Sequence, residues 1–392
     1  MRKVLDGIRI IDLGRFVSAP FGAQFLADWG AEVIKVEKPG GEPGRALVTK
    51  DGVSLYVPTF NRNKKGVTLE TRSEEGKELL RKLIAKSDVL IENFVPGTMA
   101  RMGLSLEEIH KINPRMIVAS ISGYGQKGPL AGRPVFDPVA QATSGLMSVT
   151  GTKESGPLVA GSVIIDHTAG LMMALGIMVA LFDREHTGKG QYLDLSLVDC
   201  AIPFLQTYIP NYSANGVVAG LHGNKDLLSC PADTYLCSDG AYVYMHAGTQ
   251  ALYARLVDLI NDDRLRDEKF ATVQGRNDNQ PELEEIVKEW FLMVTGAEAE
   301  AKLAAASVIG VEVSDIPRLF KSEQGKLRQQ LVDMEVPGVG QVTFPANPIK
   351  LSDAPVEYQR APTIGEHNSE VYGRVLGLSE AEIQHLSKIG AI

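Results

Sequence analysis

The chain of 392 residues has only three cysteines, Cys200, Cys230 and Cys237, and none stands in a C-x-x-C spacing. So sparse and odd a set builds neither a disulfide framework nor a zinc site, and a reducing, cytoplasmic setting is expected. Excess positive charge is also missing. Lys and Arg total 40 against 48 Asp and Glu, a formal net charge of −8, which argues against a nucleic-acid or anionic-membrane partner. Met1 to Gly7 hold no apolar signal-peptide core. The longest apolar stretch, Leu171 to Phe182, is too short to span a bilayer, so a buried helix is expected there and no membrane partner. No G-x-x-x-x-G-K-[ST] phosphate loop and no H-E-x-x-H metal helix occurs, His186 and His222 stand alone, and no metal is expected.

What is present is an alternation of strand and helix signals. Ile8 to Leu13, Glu32 to Val36, Gly66 to Glu70, Val89 to Ile91, Met116 to Ser122 and Gln191 to Leu197 read as short apolar strands. Helical stretches stand between most of them, at Pro20 to Trp29, Ser73 to Ser87 and Ser105 to Ile112. In the second of these, Ser73 is a good N-cap, Glu74 and Glu75 suit the first turn, and Leu79, Leu80 and Leu83 share one face. Such alternation implies a mostly parallel sheet covered by helices, an α/β fold. Near residue 225 the character changes. Tyr235 to Met245 reads as strand, Asp-Gly turn, strand, and charged helices follow at Gln250 to Ile260, Glu282 to Met293 and Ala297 to Ala305. After about 330 it changes again. The expected division is 1–200 with 330–392 as a large domain, 225–329 as a small α+β domain, and 201–224 as a linker.

Gly123-Tyr124-Gly125-Gln126-Lys127-Gly128 follows a strand and matches the dinucleotide string G-x-G-x-x-G. That fingerprint must open a helix. Pro129, Gly132 and Pro134 prevent one here, so the string is a glycine-rich loop and a nicotinamide oxidoreductase is disfavoured. Basic residues cluster at Lys35 and Lys38, at Asn61-Arg62-Asn63-Lys64-Lys65, and at Arg101. Such clusters are usually solvated surface, but loops after the strands of an open α/β sheet bind ligands, and converging cations suit a ligand with several phosphates. The most informative feature is Asp166-His167, between the apolar Val163-Ile164-Ile165 and the Leu171 helix. A carboxylate there accepts first-turn N–H bonds and feels the helix dipole. Taken alone it is an N-cap.

Taken together, these segments resemble the class III coenzyme A transferases. The resemblance runs through Leu5 to Leu13, Ala19-Pro20, Gly30 to Glu37, Asn61 to Lys65, Ile91 to Gly97, Ser122 to Gly125, Asp166, Thr187 to Gln191 and Arg360 to His367, so it covers nearly the whole chain. It implies a Rossmann-like large domain built from both chain ends, a small inserted domain, and a homodimer of two interlocked chains. It implies acyl-CoA and a carboxylic acid as substrates, with no permanently bound cofactor. The family's catalytic aspartate falls on Asp166. Coenzyme A contacts fall on Val17, Ser18, Lys38, the stretch from Leu69 to Arg72, Asn93, Phe94, Arg101, and the loop ending at Phe136 and Asp137. Lys38 keeps a charge but not the fork of an arginine. His246 and Gln250 are candidate acid-binding groups. Relatives close the site with a run of glycines, and this chain shows only Gly220, His222 and Gly223 in that area.

A carboxylate can open a thioester by forming a mixed anhydride, which divides one hard step into easier ones. The helix N-terminus is expected to lower the Asp166 pKa, with burial offsetting part of that effect, and His167 is expected to pack. The rival on the same fold is a 2-methylacyl-CoA racemase. Its chemistry needs two proton-carrying groups, and in the racemases a histidine stands before the residue that is Asp137 here. This chain has Phe136. A non-catalytic acyl-CoA-binding subunit is a third reading, which the carboxylate at 166 argues against.

Overall fold

The computed structural model describes residues 3–226 and 228–392. The chain divides into two compact units: one of residues up to Leu146, Val159–Val217 and Gln324–Ile392, the other of Met147–Leu158 and Val218–Glu323.

The first unit is built on six parallel strands. In chain order its main elements are β1 (Arg9–Asp12), α1 (Ser18–Asp28), β2 (Glu32–Glu37), β3 (Lys65–Thr68), α2 (Glu74–Ala85), β4 (Val89–Glu92), α3 (Leu106–Ile112), β5 (Ile117–Ser122), α4 (Asp137–Ser144), α5 (Ile164–Thr187) and β6 (Tyr192–Ser196). The strands lie in the order β6-β5-β4-β1-β2-β3. The order therefore turns back between β1 and β4, and the loops at their carboxyl ends open a crevice there. Successive residues of the strands point to opposite faces, and both faces are covered. Ile10, Val33, Val89, Ile91 and Ile117 pack with Ala23 and Leu26 of α1 and Met173 and Ile177 of α5. Ile11, Ile34, Val67, Leu90 and Val118 pack with Leu80 and Leu83 of α2 and with Val371 and Tyr372 near the chain's end. This is why the strands read as unbroken apolar runs. The Ser73 hydroxyl accepts from the Gly76 N–H at 3.0 Å, so the helix starts where its cap residue predicts. Gly123–Gly128 forms a loop.

Two expectations fail in this unit. The apolar helix α5 begins at Ile164 and runs 24 residues, long and apolar enough by length and composition to cross a membrane. It is not buried all round. Leu175 is 66% and Phe182 72% exposed, and with Leu171 and Val179 they form a stripe at helical spacing. The expected linker also fails: residues 208–215 are helical and belong to the first unit, as does the chain to Val217. Conversely, the short hairpin within Met147–Leu158 belongs to the second unit, where the Gly223 N–H donates to the Gly151 carbonyl at 2.7 Å.

The second unit holds β7 (Ala232–Leu236), β8 (Tyr242–His246), α6 (Gln250–Ile260), α7 (Gln280–Phe291), α8 (Gly296–Ala305) and β9 (Ile309–Glu312). Its antiparallel sheet, in the order β7-β8-β9, packs Tyr235, Val243 and Met245 against Leu256, Leu283, Val287 and Leu303. The chain then returns to the first unit through the hairpin of β10 (Leu331–Val336) and β11 (Gly340–Pro345) and ends in α9 (Asn368–Leu376) and α10 (Glu380–Lys388).

Two glycines set the position of α5 on α1. A Cβ on Gly22 would lie 2.4 Å from the Gly170 carbonyl oxygen, and one on Gly170 would lie 2.5 Å from that of Ser18. The two backbones therefore touch one turn beyond Asp166. Gly22→Ala is expected to force the helices apart and destabilise by about 1–3 kcal/mol, read as a clear fall in Tm. Gly132→Ala, where the added carbon meets nothing within 4 Å, serves as the silent control. Equal melting of the two variants would refute the close crossing.

Candidate active site

Asp166 occupies the first turn of α5, but it is not the cap. Val163 precedes the helix and its side chain caps nothing. The cap comes from α4. Asp137 Oδ2 accepts from the Ile165 N–H at 2.6 Å and from the Asp166 N–H at 3.0 Å. Its Oδ1 accepts from Gln141 Nε2, and Gln141 Oε1 accepts from the Ala160 N–H at 3.0 Å. Asp137 is 1% exposed. Both of its carboxylate oxygens are thus engaged at the helix end, on the side of Asp166.

The Asp166 carboxyl is pushed up to about 7. Burial is the largest cause, the Asp137 charge the next, and a hydrogen bond from the Ser18 hydroxyl opposes them. The expected lowering by the helix N-terminus is overturned. The first-turn N–H groups are already held by Asp137, and a second anion stands beside the carboxyl. His167 packs, as expected: its ring lies edge-on to Phe21 with centroids 4.6 Å apart, and its Nδ1 contacts the Val163 carbonyl at 2.8 Å.

Ser18 opens α1 next to the buried Val17, and its carbonyl oxygen abuts Gly170, one turn beyond Asp166. Asn93 braces the preceding turn. Its Nδ2 donates to the Arg15 carbonyl at 2.8 Å and contacts Ser18 Oγ at 3.3 Å, and its Oδ1 accepts from the Arg15 N–H at 2.8 Å. Lys38, Leu69 and Phe94 share a cavity of about 70 Å³ with Arg15, Thr71 and Met102, at the carboxyl ends of β1 to β4. Arg15 lies over the Phe94 ring at 5.0 Å. The exposed Arg72 forks onto Glu70 at 3.0 and 3.1 Å, and Arg101 donates to Thr98 Oγ1 at 2.8 Å. Phe136 is 68% exposed and meets Phe16 edge to face. A larger cavity of about 510 Å³ lies at the opposite, amino-terminal edge of the sheet, beside Arg9, Trp29 and Glu32, and none of the expected site residues lines it.

Three of the other basic residues, Arg62, Lys64 and Lys35, are not surface but buried against acids. Arg62 forks onto Asp28 at 2.9 and 2.7 Å, Lys64 pairs with Asp12 at 2.8 Å, and Lys35 pairs with Glu42 at 3.3 Å, all buried. Burial takes Lys64 down to about 8 despite Asp12. The two expected acid-binding residues lie in the second unit and are engaged there. Gln250 Oε1 accepts from Arg276 Nη1 at 3.1 Å, and His246 Nε2 contacts Ser229 Oγ at 3.0 Å. Three residues escaped the sequence reading: Gln141, Glu42 and Tyr56. Burial, then the charges of Asp166 and Glu42, push the Tyr56 phenol up to about 12, so it keeps its proton. No local periodicity or charge pattern marks these three.

The family profile described as CoA-transferase family III matches residues 5–368. The chain is 32% identical over 390 residues to the succinyl-CoA–D-citramalate CoA-transferase of Chloroflexus aurantiacus, covering 98% of this chain and 97% of that one. It is 35% identical over 418 residues to the formyl-CoA:oxalate CoA-transferase of Rhodopseudomonas palustris, covering 100% and 98%. Among solved structures, a CaiB/BaiF family protein from Brucella suis superposes with a TM-score of 0.87 at 32% identity, covering 96% of this chain and 100% of that one. A Mycobacterium tuberculosis protein gives 0.84 at 27% identity, covering 94% and 99%.

The raised carboxyl has a stability consequence. A group whose pKa is 3.8 in the unfolded chain and about 7 when folded opposes folding increasingly as pH rises between those values, because the folded state holds the proton more tightly. Asp166→Asn is therefore expected to raise Tm by an amount that grows from pH 4 to 7 and then levels off. A pH-independent change in Tm would contradict the raised pKa.

Proposed function

The chain belongs to CoA-transferase family III, and from that premise we propose that it moves coenzyme A from an acyl-CoA thioester to a carboxylic acid through Asp166. The observation that carries this reading is a half-buried carboxyl whose proton is held by burial and by the neighbouring Asp137 charge. Relatives are named for oxalate, D-citramalate and L-malate as acids, so the proposed acceptor class is a small carboxylic acid.

In the first step an Asp166 oxygen attacks the thioester carbonyl. The carbon–sulfur bond breaks, the coenzyme leaves as a thiolate, and an acyl–aspartyl mixed anhydride remains. The thiolate then attacks the aspartyl carbonyl. This releases the first acid as its carboxylate and leaves an aspartyl–CoA thioester. The incoming carboxylate repeats both steps in reverse, and Asp166 is regenerated. The acyl activation is conserved throughout, so no nucleotide is consumed. A carboxylate that resists ionisation is a better nucleophile than a freely solvated one, and near pH 7 half of it is still ionised. Ser18 and Tyr56 are donors suited to the oxyanions that form during each exchange. Arg15, Lys38 and Arg101 supply exposed or half-exposed cations for the coenzyme's phosphates, and Leu69 and Phe94 an apolar wall for its base.

The racemase alternative lacks its second proton carrier. Phe136 stands where the racemase histidine would be, and a phenyl ring moves no proton. A homodimer, with the two chains interlocked, is also proposed, because the apolar stripe of Leu171, Leu175, Val179 and Phe182 needs a cover. Three free, buried cysteines suit a reducing compartment.

Asp166→Ala is expected to abolish transfer while calorimetric binding of coenzyme A persists, and appreciable residual transfer would remove Asp166 from its role. In the unaltered enzyme, kcat should fall as pH drops below about 7, when Asp166 takes up its proton. Asp137→Asn keeps one cap acceptor but removes the charge, so that acid limb should move to lower pH. A limb that stays in place would contradict the electrostatic role of Asp137. The double variant Leu175→Glu, Val179→Glu should sediment as a monomer, and a persistent dimer would exclude the stripe as its interface.

A further inference from the structure

The turn between β1 and α1 is clamped almost atom by atom, and one of its residues is strained. Phe16 has φ of +61°. That is the left-handed region, which is unfavourable for a residue with a side chain. Side chains from other elements hold the turn. Asp12 Oδ1 accepts from the Gly14 N–H at 2.8 Å, and Lys35 Nζ donates to the Gly14 carbonyl. Asn93 takes both backbone groups of Arg15, as described. The Phe16 N–H donates to Glu42 Oε2 at 3.0 Å. Glu42 is 6% exposed and stands 3.3 Å from Lys35 Nζ through its other oxygen. Its own N–H donates to Glu37 at 2.8 Å, so the carboxylate cannot easily follow Phe16 if the turn moves. Two residues after Phe16 comes Ser18, whose carbonyl oxygen abuts Gly170, one turn beyond Asp166, and whose hydroxyl holds the Asp166 pKa down.

We propose that Glu42 is a positioning residue for the reaction at Asp166: its carboxylate holds the Phe16 backbone in the left-handed conformation that aims Ser18 at the reacting carboxyl. This rests on Asp166 as the reacting group. A charge-assisted bond to a buried N–H is among the stronger hydrogen bonds, and its loss leaves that N–H unpaired. Phe16 then gains by relaxing to negative φ. The relaxation rotates the peptide joining it to Val17 and carries the start of α1 away from Asp166. Displacements of about 1 Å at a reacting centre can cost on the order of 100-fold in rate.

The test exploits glycine, which takes positive φ without strain. Glu42→Ala is expected to lower kcat on the order of 100-fold. In a Phe16→Gly background the same change should cost less than about fivefold, because the turn no longer needs holding. Glu42→Gln keeps an acceptor for the Phe16 N–H and should retain most of the rate. Glu42→Asp keeps the charge but shortens the reach, so it should behave like Glu42→Ala and serves in its place should the alanine variant fold poorly. Withdrawing the Ser18 hydrogen bond should also move the acid limb of kcat upward in Glu42→Ala, and Phe16→Gly should restore it. Equal losses in both backgrounds, or a Glu42→Gln variant as slow as Glu42→Ala, would overturn the proposal. Asp166→Asn measured alongside separates the two readings: its inactivity together with uncoupled positions 42 and 16 removes only the role of Glu42, and its retained activity removes the role of Asp166.

Discussion

Asp137 closes the open end of α5 from a different helix, and in doing so it places a negative charge beside Asp166. Both effects come from one carboxylate. The cap satisfies two backbone N–H groups that would otherwise stand unpaired at a helix end. It also removes from Asp166 the stabilisation that a helix N-terminus normally gives an acid. The balance at Asp166 therefore shifts toward burial and like-charge repulsion, and the carboxyl is raised rather than lowered. Gln141 fixes this arrangement by tying Asp137 to the backbone at Ala160.

The sheet supplies the platform. Its order reverses between β1 and β4, and the loops carrying Ser18, Asn93 and Phe94 leave from that point. Beneath them run the buried pairs Asp12–Lys64 and Lys35–Glu42. Such pairs contribute little net stability, because desolvating both ions offsets their attraction. Here they hold loop backbone in place. Lys64 also donates to the Pro20 carbonyl at 2.8 Å, and Lys35 to that of Gly14. Charge is buried where the loops must be rigid, and the α1–α5 glycine crossing carries that rigidity to Asp166.

The parallel sheet was legible from the sequence because strands covered on both faces leave short apolar runs, and caps such as Ser73 act within a few residues. The small unit's Asp-Gly turn was legible for the same reason: Gly240 takes φ of +84° between the paired strands. Asp166 stood out through its company along the chain. The sign of its pKa shift did not, because it is set first by tertiary burial and then by a charge 29 positions away. Arg62, Lys64 and Lys35 resembled ligand-facing cations until their acids, up to 52 residues distant, closed on them. The exposed stripe of α5 was hidden for the opposite reason, since an all-round apolar helix reads as buried whether or not its own chain covers it.

In the proposed reaction Asp166 carries a covalent acyl bond during turnover. Incubation with an acyl-CoA and hydroxylamine, followed by peptide mass spectrometry, tests it most directly. A hydroxamate is expected on Asp166, formed only when the thioester is present. A hydroxamate on another side chain, or unmodified protein while transfer proceeds, would contradict it.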